Sequence, residues 1–129
     1  MSAVPRMLLV SPDLMVSSRI AASAREAGGT LDTLRSPDLA PPGTTYDVVL
    51  LDLQAVPGDA AMLVAQTHAL IARFDRDASD EPVRLVAFGP HVARQRLDDA
   101  RAAGADAVVS RGELLGSFPA IIRRWLRPE

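Results

Sequence analysis

The sequence predicts an α/β domain built on a doubly wound parallel sheet, and three observations carry that prediction. The first is Asp47-Val-Val-Leu-Leu-Asp-Leu53, where four branched apolar residues lie between two carboxylates. A strand with one wet face would alternate, whereas a continuous apolar run belongs to a strand covered on both faces. The second is that short apolar runs of this kind alternate along the chain with longer segments of helical periodicity. The third is punctuation: Gly28-Gly29 and Gly104 fall where predicted helices should stop.

Met7–Val10 reads as the first strand. Ser11-Pro-Asp13 follows it, with Pro12 suited to the first turn of a helix and Ser11 or Asp13 to its cap. That helix runs to about Ala27 and buries Val16, Ile20, Ala24 and Ala27. Thr30–Leu34 is a second strand, placed near an edge because Asp32 interrupts it. Ser36 to Thr45 contains three prolines and a glycine, so the second crossover helix is expected to be short or missing. The central strand ends at Asp52. After Val56-Pro-Gly58 a helix is expected over 60–74, with Leu63, Thr67, Leu70 and Phe74 on one face and Met62, Ala65, Ala69 and Ala72 beside it. A charged connector over 75–82 leads to a fourth strand, Val83–Phe88. A helix over 91–103, a fifth strand at Ala107–Val109 and a last helix over 113–126 complete the chain. The last helix turns Leu114, Phe118, Ile121, Ile122 and Trp125 inward, and Pro119 is expected to kink or delay it. Right-handed crossovers make the flavodoxin-like order 2-1-3-4-5 the simplest sheet. No repeat or second domain is visible, so residues 1–129 are read as one domain.

Composition narrows the chemistry. At 129 residues and 48% hydrophobic, the chain can bury one aliphatic core. A net charge of −2 argues against nucleic-acid binding through the whole surface. No cysteine is present, which removes disulfides, thiolate nucleophiles and cysteine–zinc sites. Lysine is absent as well, which excludes Schiff-base, P-loop-lysine and amine catalysis, because guanidinium stays protonated. Met7–Val10 is too short for the apolar core of a secretory leader, and nothing approaches membrane-spanning length. The protein is read as cytoplasmic and without a membrane partner.

In open parallel sheets the working groups gather at the carboxyl ends of the strands, which is where Asp52 stands. The order of features now resembles a response-regulator receiver domain of the CheY-like type. A hydrophobic first strand, a central strand ending in aspartate, a Pro-Gly turn and Ala100-Arg-Ala-Ala-Gly-Ala-Asp-Ala-Val-Val109 carry the likeness over nearly the whole chain. The resemblance implies that Asp52 corresponds to the residue that accepts a phosphoryl group, with magnesium held by it and by an acidic pair after the first strand. That pair falls on Ser11 and Pro12, with Asp13 one place late. The family's hydroxyl residue at the end of strand four falls on Gly89, or on Phe88 in a slipped register. Its lysine falls on Arg111, the proline after it on Gly112, and its aromatic switch residue on Val108. The scaffold is kept and much of the phosphorylation machinery is not, which is similar to a pseudo-receiver.

Bland alternatives stand beside each of these assignments. Asp52 would pair with Arg111 across the pocket, satisfying both charges without metal. His68 and His91 have no second ligand at metal spacing and read as surface or capping residues. Ser11, Ser17 and Ser110 lack a nucleophile-elbow context, and Gly28-Gly29 closes a helix instead of opening a dinucleotide loop. Arg94, Arg96, Arg101, Arg111, Arg123, Arg124 and Arg127 gather toward the C-terminal half. They form either solvated faces balanced by Asp98, Asp99 and Glu113 or a partner surface. Such a surface would run over the helix at 91–103, the fifth strand and the last helix, with Arg94, Arg101, Arg111, Arg123 and Trp125 on it.

The expected function is a non-enzymatic pseudo-receiver: a regulatory interaction module in bacterial signalling, binding a protein partner or a second copy, with no cofactor and no direct nucleic-acid contact. The alternative is a phosphoacceptor receiver, modified on Asp52, in which Asp13 and Asp52 hold magnesium. A flavodoxin-like ligand-binding or enzymatic domain is a third class.

Overall fold

The computed structural model describes residues 4–43, 45–74 and 82–126, with side chains through residue 124. Five strands, β1 (Arg6–Val10), β2 (Thr30–Leu34), β3 (Val48–Asp52), β4 (Arg84–Gly89) and β5 (Ala107–Ser110), form one parallel sheet. Their order is β2-β1-β3-β4-β5, as predicted. Among the described residues five helices accompany them: α1 (Leu14–Glu26), α2 (Ala60–Ala72), α3 (Arg94–Ala102), α4 (Arg111–Gly116) and α5 (Phe118–Leu126).

The sheet separates two apolar layers, as the period of two along each strand requires. Met7, Leu9, Val48, Leu50, Val86 and Phe88 face α1, α4 and α5, where Val16, Ile20, Leu114, Phe118 and Ile122 meet them. Leu8, Val10, Val49, Leu51, Leu85 and Ala87 face the other way, toward Leu63, Val64 and Leu70 of α2 and Ala100 of α3. All five residues of β3 are buried, which is what its unbroken apolar run implied.

No helix forms over the described residues between β2 and β3. Tyr46 takes that helix's place in the core. Its ring packs on Phe74 with centroids 5.2 Å apart, and its hydroxyl donates to Asp32 Oδ2 at 2.7 Å. Burial, with the Asp32 carboxylate next in weight, pushes the phenol up to about 12.

The α1 helix ends as its two glycines foretell. Gly28 sits at φ 81°, and the Gly29 amide donates to Ala24 O at 2.8 Å, closing the helix with a left-handed residue. Gly29 is needed for a second reason, because a Cβ there would lie 2.6 Å from the Met7 methyl.

Four expectations need correction. Pro12 lies outside α1, since Asp13 is the N-cap and the helix starts at Leu14. On α2 the residues beside the core stripe, Met62, Ala65, Ala69 and Ala72, are exposed, and Val64 completes the buried face. The helix expected over 91–103 begins at Arg94, because the Ala93 amide first closes a turn onto Pro90 O at 2.9 Å. The single last helix is two helices. Ser110 and Glu113 form a reciprocal capping box that starts α4 directly after β5. Ser117, at φ −131°, then breaks the path, and Pro119 falls in the first turn of α5, where its missing N–H costs nothing.

Candidate functional site

Strand register builds the site. Val10 pairs with Leu51, so Ser11 comes up beside Asp52, and period-two alternation turns both side chains to the α1 face. On the other flank Asp52 is paired with Phe88, whose ring is fully buried on that same face.

Asp52 is itself 0% exposed. A carboxylate in that position needs hydrogen bonds, and it receives three. Ser11 Oγ donates to Oδ2 at 2.8 Å. The amides of Gln54 and Ala55 donate to Oδ1 at 3.0 and 3.1 Å, so the side chain folds the strand end into a turn. Ser11 Oγ in turn accepts from the Asp13 amide at 3.1 Å, and Asp13 Oδ1 caps α1 by accepting from Met15 N at 2.9 Å. The chain Asp13–Ser11–Asp52–Gln54 thus links the first turn of α1 to the loop after β3.

Arg111 does not pair with Asp52. Its guanidinium reaches across the mouth of the sheet to Gln54 Oε1, leaving Nε buried without a hydrogen-bond partner. Gln54 is therefore the residue sequence reasoning missed: its amide holds Asp52 and its side chain holds Arg111. The signal was its place two residues after the aspartate, where an Asx turn draws its amide donor.

The remaining candidates fall as follows. Gly89 ends β4 on the face opposite Asp52, and a Cβ there would meet Leu97 and Leu53 at an ordinary 3.6–3.7 Å, so packing does not demand glycine. The neighbour of Asp52 on β4 is Phe88, and neither residue carries a hydroxyl. Val108 is partly buried and packs against the core layer on the α2 and α3 side of the sheet. Pro12 presents no side-chain oxygen, and Asp13 Oδ1 is engaged in capping α1. Among the described residues no three histidine or carboxylate groups gather as a metal set. Magnesium needs hard oxygen donors in near-octahedral array, and one buried carboxylate with both oxygens already hydrogen-bonded does not supply them.

The expected partner surface is only partly assembled. Arg94, Arg101 and Arg123 are exposed on α3 and α5, and Arg101 is paired with Asp98 at 3.3 Å. Arg111 turns away toward the mouth, and the side chains of Trp125 and Arg127 lie outside the described residues. His68 and His91 are exposed. No described helix is long and apolar enough to cross a membrane.

The sequence matches no protein-family model and no curated protein. Solved structures resemble the fold closely. A two-component response regulator from Clostridium difficile superposes with a TM-score of 0.74 at 17% identity, over 95% of this chain and 96% of that one. A response regulator receiver protein from Burkholderia phymatum gives 0.68 at 24% identity, over 95% and 94%. The receiver domain of the sensor histidine kinase PA1611 from Pseudomonas aeruginosa, which has a magnesium ion coordinated in its active-site cleft, gives 0.68 at 16% identity, over 96% and 98%. The fold is that of a receiver domain.

Proposed function

We propose that this chain is a pseudo-receiver: a non-enzymatic regulatory module that acts by binding a protein partner and is not switched by phosphorylation. The observation that carries the proposal is the state of Asp52. Both of its oxygens are committed to Ser11 and to the loop after β3, and among the described residues no three acidic or histidine side chains gather as a metal set. A phosphoacceptor must expose a nucleophilic oxygen and share a divalent cation that offsets the repulsion from incoming phosphate. To do the first, Asp52 would have to release either the Ser11 hydroxyl from Oδ2 or both loop amides from Oδ1, and the residues around it do not equip it for the second. In this role Asp52 shapes the loop, and signalling function resides in surfaces. The exposed arginines of α3 and α5, with the partly covered edge strand β5 between them, are the proposed contact face for a partner or for a second copy.

Intact-mass measurement after incubation with acetyl phosphate and magnesium tests the proposal. The expected result is an unchanged mass. A phosphoryl adduct that disappears in Asp52→Asn would overturn it in favour of a phosphoacceptor receiver. Light scattering across a range of concentrations tests the second-copy option, for which a concentration-dependent dimer is expected and a strict monomer counts against it.

A further inference from the structure

Beside the Asp52 network, and sharing only Gln54 with it, lies a cavity of about 290 Å³ between the β3–α2 and β4–α3 loops. Its walls are Leu53, Val56 and Pro57 on one side and Pro90, Ala93 and Leu97 on the other. The two prolines fix the backbone at their positions, so the walls are largely pre-formed. The size lies at the lower end of small-ligand pockets, enough for an apolar body of about a dozen non-hydrogen atoms or fewer.

One charged group lines this apolar space. Arg96 projects from α3, and its terminal nitrogens donate to Leu53 O at 2.6 Å and to Gly58 O at 2.8 Å. Both acceptors belong to residues that also line the cavity, so the guanidinium is held in place by the cavity's own rim. Guanidinium has five N–H donors, and two are used. Among the described residues no carboxylate pairs with Arg96: the nearby Asp59 caps α2 at Met62 N, and Asp99 accepts from Gln95. A fixed cation with spare donors and no counter-charge, set in an aliphatic pocket, selects an anion that carries an apolar body. The pocket edges extend the same character outward, since Met62 places its methyl 3.1 Å from where a Cβ on Gly58 would stand, and Val92, between Pro90 and Ala93, is 77% exposed.

We infer that this cavity is a binding site for a small apolar monocarboxylate, with its carboxylate on Arg96 and its hydrocarbon body between Val56, Pro57, Pro90 and Leu97. A carboxylate suits the planar fork of guanidinium, and the aliphatic walls favour a ring or branched chain over a purely polar anion. The site does not depend on whether Asp52 accepts phosphate, because Asp52 takes no part in it. It places a ligand against the two loops that meet the Asp52 turn and the start of α3, and so gives the domain an input other than phosphorylation.

The test is a titration of the ¹⁵N-labelled full chain with benzoate, followed at the backbone amides. Benzamide serves as the uncharged isostere and inorganic phosphate as the anion without an apolar body. Benzoate is expected to give saturable shifts centred on Leu53, Gln54, Gly58, Gly89, Ala93 and Leu97, with a Kd on the order of 1 mM for a probe this small. Benzamide and phosphate should each bind at least about tenfold more weakly, one for want of charge and the other for want of a body. Arg96→Gln should weaken benzoate by a similar factor. Should that variant lose its fold with the two loop hydrogen bonds, Ala93→Leu, which fills the cavity, carries the test and should abolish the shifts. Absence of saturation, equal binding of benzoate and benzamide, equal binding of benzoate and phosphate, or shifts centred elsewhere would each overturn the inference.

Discussion

The two aspartates that bracket β3 perform the same operation in opposite surroundings. Asp47 stands at the entrance of the strand and is exposed, accepting from the Arg6 amide at 2.9 Å. Asp52 stands at the exit and is fully buried, accepting from the Ser11 hydroxyl at 2.8 Å. Each ties β3 to β1 across the same span of 41 residues. At the entrance, water can replace the carboxylate, so the tie is nearly free to make or lose. At the exit the Ser11 hydroxyl and the carboxylate are both buried, so water does not stand in for that bond and the hydroxyl depends on Asp52. An acidic residue at the end of this central strand therefore has a use in the shape of the loop, and its presence there does not establish phosphotransfer.

Substitution at the exit should break this contrast most sharply. Asp52→Ala strands the buried Ser11 hydroxyl and takes the acceptor from two part-buried amides, and urea unfolding should show a loss of about 3 kcal/mol or more. Ser11→Ala removes one hydrogen bond to a buried carboxylate and one acceptor for the Asp13 amide, with an expected loss of about 1.5–3 kcal/mol in the same assay. At the entrance, Asp47→Ala should cost less than about 1 kcal/mol, because its donor is open to solvent. Equal losses for Asp47→Ala and Asp52→Ala would remove the distinction between the two ends.

A third aspartate sharpens the comparison through pH. Asp32 accepts from Tyr46, the single tyrosine of the chain, and the phenol is pushed up to about 12 from an ordinary value near 10. The folded state then holds that proton more tightly than the unfolded state does. Its contribution to stability is complete below pH 10 and is lost as pH rises from there through 12. Absorbance of the tyrosinate band should report ionisation near 12 in the native protein, and Tyr46→Phe should flatten the alkaline end of the stability profile. Ionisation near 10 with the fold intact would contradict the buried Tyr46–Asp32 bond.

How much of this was legible in the sequence follows from which interactions are local or periodic. The apolar run at β3, the proline-rich second crossover and the glycines after α1 and α3 each state their structure directly. Strand order followed because alternating short strands and helices leave few ways to wind a sheet. The site was legible in its position and not in its bonding. Charge complementarity pointed Asp52 at Arg111, but a buried carboxylate two and three residues from free amides satisfies itself within its own turn, and Arg111 was drawn off by Gln54. Ser110-Arg-Gly-Glu113 spells a capping box that already marked α4 as a separate helix, yet the hydrophobic periodicity running on through Phe118 and Ile122 masked the break at Ser117. Arg96 stood out in sequence only as one of several arginines, because its cavity is made by two loops 30 or more residues apart.

Asp52 serves either the fold or a cation. Magnesium titrated into the full chain, followed at the backbone amides of Ser11, Asp13, Gln54 and Ala55, asks this directly. The predicted outcome is no saturable change at these positions at concentrations up to roughly 10 mM, since both Asp52 oxygens stay with their present donors. Saturable shifts centred on those amides and lost in Asp52→Asn would show a competent cation site, and the structural assignment of Asp52 would fall.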